Sequence, residues 1–214
     1  MEKRKVGILC HGYNLFSSDW QEIVWGVPAV LMGRVPRAVL LALEERADIL
    51  VFGTGASEKD GVKEGEYIKR YLLDHFYDLR YFEEMKHVGL NEFNFIRSIS
   101  VSETTSMNTA QEALCSSRLL SAAGVNKMFV VSSPAHERSR RDNLVALRDN
   151  KELWPLIRGL SIVASDTGPD PDKVIILEPA WGGAKPDRLY QIVRAIQAKP
   201  AEEQQKIIDA ILAS

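Results

Sequence analysis

An alternation runs through this chain and narrows its possible folds. Short apolar runs rich in β-branched residues give way, repeatedly, to longer segments whose apolar residues recur at helical spacing. Repeated βαβ units read this way, because buried parallel strands are apolar on both faces while crossover helices need one apolar stripe. The expected fold is therefore α/β: a three-layer Rossmann-like open sheet, mostly parallel, with helices on both faces. The predicted strands lie at Val6 to Cys10, Asp48 to Phe52, Arg97 to Val101, Lys127 to Val131, Leu160 to Ala164 and Val174 to Leu177.

Between them, Val35, Ala38, Val39, Ala42 and Leu43 form the stripe of a helix that carries Pro36 in its first turn. Ile68, Tyr71, Leu72, His75 and Phe76 mark a second helix. A third runs through Leu120 and ends near Gly124, and a basic one follows from Glu137 to Leu147. Leu189, Ile192, Val193 and Ile196 give a late core-facing helix, and Ile207, Ile208, Ile211 and Leu212 a terminal one. Tyr77 to Phe95 is rich in aromatics without clear period and reads as an irregular connection. No repeat or linker interrupts residues 1–214, which are expected to form a single domain.

Composition narrows the function. Hydrophobic residues at 45% and charged residues at 26% are those of an ordinary globular protein. A net charge of -2, with Lys and Arg dispersed along the chain, disfavours nucleic acid as a partner, since that binding rests on accumulated phosphate contacts. The apolar run in MEKRKVGILCHGYNL reaches His11 and Asn14 too soon for a signal peptide, and no stretch approaches membrane-span length. The only cysteines, Cys10 and Cys115, form no CxxC pair, so a reducing, cytoplasmic setting is expected. The histidines and cysteines show no metal-ligand spacing, and no metal site is expected from them.

In open parallel sheets the ligand lies beyond the carboxyl ends of the strands. Those ends are Cys10-His11-Gly12, Gly53-Thr54-Gly55-Ala56-Ser57, Ser102 to Thr109, Ser132 to His136, Ser165-Asp166 and Glu178-Pro179, nearly all small, polar or glycine-containing. The Gly53, Thr54, Gly55, Ser57 loop lets backbone amides approach an anion. It lacks both GxGxxG spacing and a P-loop lysine, and a turn needing glycine for backbone reasons accounts for it equally well. Ser102 to Thr109 holds five hydroxyls, the Glu103 carboxylate and the Asn108 amide. Ser106 or Asn108 can cap the following helix; the surplus, including Thr105 and Thr109, points to a ligand bearing several oxygens.

His136, followed by Arg138, Arg140 and Arg141, offers a titrating imidazole beside fixed positive charge; solvated side chains at a helix start are the alternative. Glu66 sits near a helix start, where the dipole alone also favours a carboxylate. Cys10-His11 invites a nucleophile reading, against which stand the commonness of buried cysteine and the lack of an identifiable orienting acid. Asp166 and Glu178 are positional candidates of the same kind, while His75 and His87 read as structural or incidental.

The ordered series GTGAS, Glu66, SETTSMNTAQEA and VVSSPAHERSRR resembles the YdcF/SanA/ElyC family over roughly Val6 to Arg141. The resemblance implies a Rossmann-like three-layer domain, with roles in envelope biogenesis suggested for some members and S-adenosylmethionine binding proposed for a cytosolic one. Gly53, Gly55, Glu66, Glu103, Ser106, Asn108, Thr109 and His136 fall on the family pattern. Two departures stand out: Gln111-Glu112 where the family often has Glu-Asn, and Ser139 at a position usually held by arginine. The envelope members also carry a membrane anchor.

Two readings emerge. In the first, the protein is an enzyme acting on an anionic small molecule, phosphorylated, nucleotide-like or S-adenosyl-type. Thr54, Ser57, Thr105, Ser106, Asn108, Thr109, Ser132, Ser133, Arg138 and Arg140 then bind it, Glu66 or Glu103 orients it, and His136 is general acid or base. In the second, the same loops hold a metabolite in a non-catalytic sensor.

Overall fold

The computed structural model describes residues 4–134, 137–168, 196, 199–200, 203–204 and 206–207, with the backbone alone for 137–141. The predicted strand at Val174 to Leu177 and the helices beyond Leu189 lie outside the described residues or are touched by them only at isolated positions.

The first strand, β1 (Val6–Cys10), runs into a loop, a short helix α1 (Trp20–Val24) and a small hairpin of β2 (Gly26–Val27) and β3 (Leu31–Met32). Helix α2 (Arg34–Glu45) leads to β4 (Ile49–Phe52). A second hairpin, β5 (Glu58–Lys59) and β6 (Val62–Lys63), precedes α3 (Glu64–Asp74). Then come α4 (Leu90–Ile99), β7 (Ser100–Ser102), α5 (Thr109–Ala122), β8 (Lys127–Ser132), α6 (Glu137–Asp149), α7 (Trp154–Ile157) and β9 (Leu160–Ala164).

Five strands form one parallel sheet in the order β7-β4-β1-β8-β9, in register Leu9 with Val51 and Val130, and Val130 with Ile162. This is the α/β Rossmann-like architecture expected from the alternation of apolar runs. The period of two along each strand sorts the core into two layers. Val6, Ile8, Cys10, Leu50, Phe52, Phe129 and Val131 join α2, α3 and α4 on one face. Leu9, Ile49, Val51, Met128 and Val130 meet Leu120 of α5 and Leu147 of α6 on the other. From β1 the chain winds outward through β4 to β7, then crosses back over to β8 on the opposite side of β1. The gap between the carboxyl ends of β1 and β8 is thus the point where strand order reverses, the place where such sheets open a crevice.

The structure departs from the expected strands between Arg97 and Val101. Arg97 and its neighbours do not begin a strand: Leu90–Ile99 is a helix, and only Ser100–Ser102 pairs with β4. The helix begins where Glu92 accepts the Gly89 amide at 2.8 Å, and it buries Ile96. The aromatic stretch before it is two 3-10 turns, Phe76–Tyr81 and Glu83–Met85. Phe76, Leu79, Phe82 and Met85 are buried from those turns in the layer holding α2, which a search for one uniform period misses. No described helix is long and apolar enough to cross a membrane.

Candidate functional site

Successive residues of a strand point to opposite faces, and this decides what the Cys10-His11 pair can do. Cys10 continues the α2 side. Burial pushes its thiol up to about 12, with Arg34 pulling the other way and Glu112 adding to the rise. Such a thiol is not a nucleophile at neutral pH. His11 points to the α5 and α6 side, away from the sulfur.

There His11 has the orienting acid that spacing did not disclose. Its Nδ1 lies 2.7 Å from Glu112 Oε2, and Asn143 Nδ2 lies 3.1 Å from its Nε2. With Asn143 donating to Nε2, the ring proton sits on Nδ1 and goes to Glu112. Glu112 Oε1 also accepts the Gly12 amide at 3.1 Å. Histidine and glutamate are both almost fully buried, at 2% and 3% exposure. Burial works against the Glu112 carboxylate, but the His11 ring, the Gly12 amide and Arg34 together hold its pKa below the ordinary range. Gly53 is required beside it, since a Cβ there would fall on the Glu112 carboxylate.

On the α2 side, Arg34 is the first residue of its helix, where the dipole disfavours a cation, and is nonetheless 3% exposed. Its Nε and Nη2 donate to Ser133 Oγ at 3.0 and 2.8 Å, its Nη1 to the carbonyls of Gly12 and His11, and its guanidinium lies 5.2 Å from the Tyr13 ring centre. Desolvation lowers its pKa; Cys10, Glu112, Tyr13 and Glu64 act in the opposite sense. The first residue of α3, Glu64, is buried too, accepts from Ser57 Oγ, and packs so closely on Gly12 that a side chain there would meet it.

The loops favoured by the sequence reading are brought to the same end of the sheet, but largely bind one another. Thr54 Oγ1 donates to the Ser106 carbonyl at 2.9 Å, and the Thr54 and Ser57 carbonyls accept the Gly65 and Glu64 amides that open α3. Glu103 accepts the Thr105 and Ser106 amides at 2.7 and 3.0 Å and both of their hydroxyls. Asn108 caps α5 through the Gln111 amide at 2.8 Å, as expected for one of the two capping candidates. Gly55 packs against the Thr104 and Ser106 carbonyls, Thr109 is the first residue of α5, and Ser132 is buried where β8 ends.

Among the described residues, Glu66 touches these loops only through Ser102, at their edge. It is paired with Lys69 and Arg70 at 2.7 and 2.9 Å, half-exposed, and accepts from Ser102 Oγ; the inward carboxylate of that helix is Glu64, two residues earlier. Asp166 ties Arg37 and the Met32 amide together. His75 stacks on Tyr71 at 4.1 Å between ring centres. The side chains of His136, Arg138, Arg140 and Arg141, and Glu178, lie outside what is described. Among the described residues no group of three His, Cys, Asp or Glu is placed to hold a metal ion.

Arg34, Glu64, Glu112 and Asn143 were not singled out as site residues in the sequence. Two signals pointed to part of this: the strand alternation that separates His11 from Cys10, and the acid in the first turn of α5. No family model matches the chain, and no curated protein or solved structure matches it either.

Proposed function

We propose that the protein is an enzyme acting on an anionic small molecule held where β1 and β8 diverge. The observation that carries this reading is the burial, at that one point, of Arg34, His11, Glu112 and Glu64 from four different segments. Burying ionised groups such as the Arg34 guanidinium and the Glu112 carboxylate costs several kcal/mol each in desolvation, and apolar residues would close the end of a sheet more cheaply. Chemistry or recognition is the usual reason for keeping such groups, and the switch point of a parallel sheet is where it is usually found. Arg34 supplies fixed positive charge, and the Glu112-His11-Asn143 chain fixes one imidazole tautomer.

The ordered motifs shared with the YdcF/SanA/ElyC pattern favour the same end of the sheet and a phosphorylated, nucleotide-like or S-adenosyl-type ligand. In this reading His136 remains the candidate general acid or base, and the setting is cytoplasmic. A thermal-shift panel of nucleotides, sugar phosphates and S-adenosylmethionine tests it. A ligand at a hundred times its dissociation constant raises stability by about 2.7 kcal/mol, readily seen as a rise in melting temperature. A hit consumed during incubation makes the protein an enzyme, a hit that persists unchanged makes it a metabolite sensor, and no hit removes the anionic-ligand reading.

A further inference from the structure

Ser133 follows directly on β8 and is 5% exposed. Its Oγ receives two N–H groups of the Arg34 guanidinium, at 3.0 and 2.8 Å. A hydroxyl oxygen has two lone pairs and one proton. With both lone pairs directed at Arg34, the Ser133 proton must be donated elsewhere. No acceptor for it lies within hydrogen-bonding distance among the described residues.

The guanidinium shows the same incompleteness. Of its five N–H groups, Nε uses its one on Ser133, Nη1 faces the Gly12 and His11 carbonyls, and Nη2 uses one of two on Ser133. One Nη2 N–H is left beside the serine hydroxyl. Among the described residues no carboxylate pairs with Arg34 within 4.0 Å, although Glu112 and Glu64 act on it through space. A nearly buried cation with no paired anion among the described residues, beside two adjacent donors with no acceptor among them, is an arrangement that a bound oxygen with negative charge would complete.

We infer that the Arg34 Nη2 N–H and the Ser133 hydroxyl together form an oxyanion subsite, which binds a phosphoryl or carboxylate oxygen of the ligand at the carboxyl end of β8. The inference rests on the anionic-ligand reading above and names its recognition atoms. It assigns Ser133 as a donor held in place by Arg34, and it sets the GTGAS and SETTSMNT loops behind the ligand as scaffold. The subsite is specific for an acceptor: a ligand presenting an amine or ammonium group here would meet only donors.

The test titrates inorganic phosphate, adenosine monophosphate and acetate into the intact protein, following affinity by calorimetry and the Arg34 Nε–H resonance by NMR, with Arg34→Lys used to assign that resonance. Binding of phosphate or the nucleotide identifies a phosphoryl group, and binding of acetate alone a carboxylate. Either should shift the Arg34 resonance in the wild-type protein. Ser133→Ala should then weaken binding about ten- to hundredfold, the loss expected for one hydrogen bond to a charged group, and Ser133→Thr should restore most of it. If a probe binds while the Arg34 resonance stays unmoved and Ser133→Ala binds as tightly as wild type, the subsite is refuted and the anionic-ligand reading stands. If no probe binds wild-type protein, both are refuted. The wild-type resonance decides the matter should Ser133→Ala fail to fold.

Discussion

Two clusters at the same end of the sheet answer the question of partners differently. In the cluster built from Gly53 to Ser57 and Glu103 to Asn108, hydroxyls and amides meet carboxylates and carbonyls of neighbouring loops; Glu103 alone accepts from two amides and two hydroxyls. At the end of β8, Arg34 and Ser133 satisfy each other only partly, and the serine proton and one Nη2 N–H have no acceptor among the described residues. The first is a self-contained brace that shapes the loops. The second is the subsite proposed above, with hydrogen-bond capacity left over once its internal bonds are counted. Richness in polar side chains is therefore a poor guide to ligand contact, and the informative quantity is what remains after internal bonds are counted.

The deepest break in this comparison should come at Glu112, which joins both clusters by holding His11 and Gly12 while packing on Gly53. Glu112→Ala removes the acceptor of a buried imidazole and leaves space behind it. Loss of one partner of a buried pair typically costs about 3–5 kcal/mol, so the urea midpoint should fall severely. A loss below about 1 kcal/mol would mean that the pair is peripheral to the fold.

Glu103→Ala separates the two clusters. It strips a buried brace of its acceptor and should cost about 2–3 kcal/mol in urea unfolding, since hydrogen bonds to a charged group are each worth about 1.5–3 kcal/mol and are not additive here. Affinity for whichever anionic probe binds wild-type protein should change by less than about threefold, because Arg34 and Ser133 are untouched; a drop like that of Ser133→Ala would place Glu103 at the ligand and erase the distinction.

Much of the architecture was legible because it follows from apolar period alone: β1 and β9 lie where the apolar runs lie, and β4 and β8 differ from theirs by one residue at an end. The polar loops were placed together at one end of the sheet for the same reason. What could not be read was pairing across the chain. Glu112 is 101 residues from His11 and Ser133 is 99 from Arg34, and nothing local to either member announces the other. Arg34 was further hidden by position, since a cation at a helix start reads as a misplaced surface charge. Glu66 and Glu64 show the limit most sharply: two acids in one first turn are equivalent to a dipole argument, and only the packing of Gly12 and Ser57 selects Glu64 for the interior.

That last pair supplies the smallest and cleanest test. Burial alone would raise the Glu66 pKa, yet hydrogen bonds from Lys69, Ser102 and Arg70 bring it from 4.5 down to about 2. A carboxyl depressed in the folded state contributes stability that is present above about 4.5 and is lost as pH falls toward 2. Solvent screens this half-exposed group, so the contribution should be about 0.5–1 kcal/mol and no more. Glu66→Gln should thus lower the urea stability at pH 7 by about that amount, and the difference from wild type should vanish near pH 2, or at the lowest pH where both still fold. Phosphate or nucleotide affinity should be unchanged throughout. A Glu66→Gln protein that keeps its stability but loses ligand would return Glu66 to the site and make Glu64 the structural acid of α3.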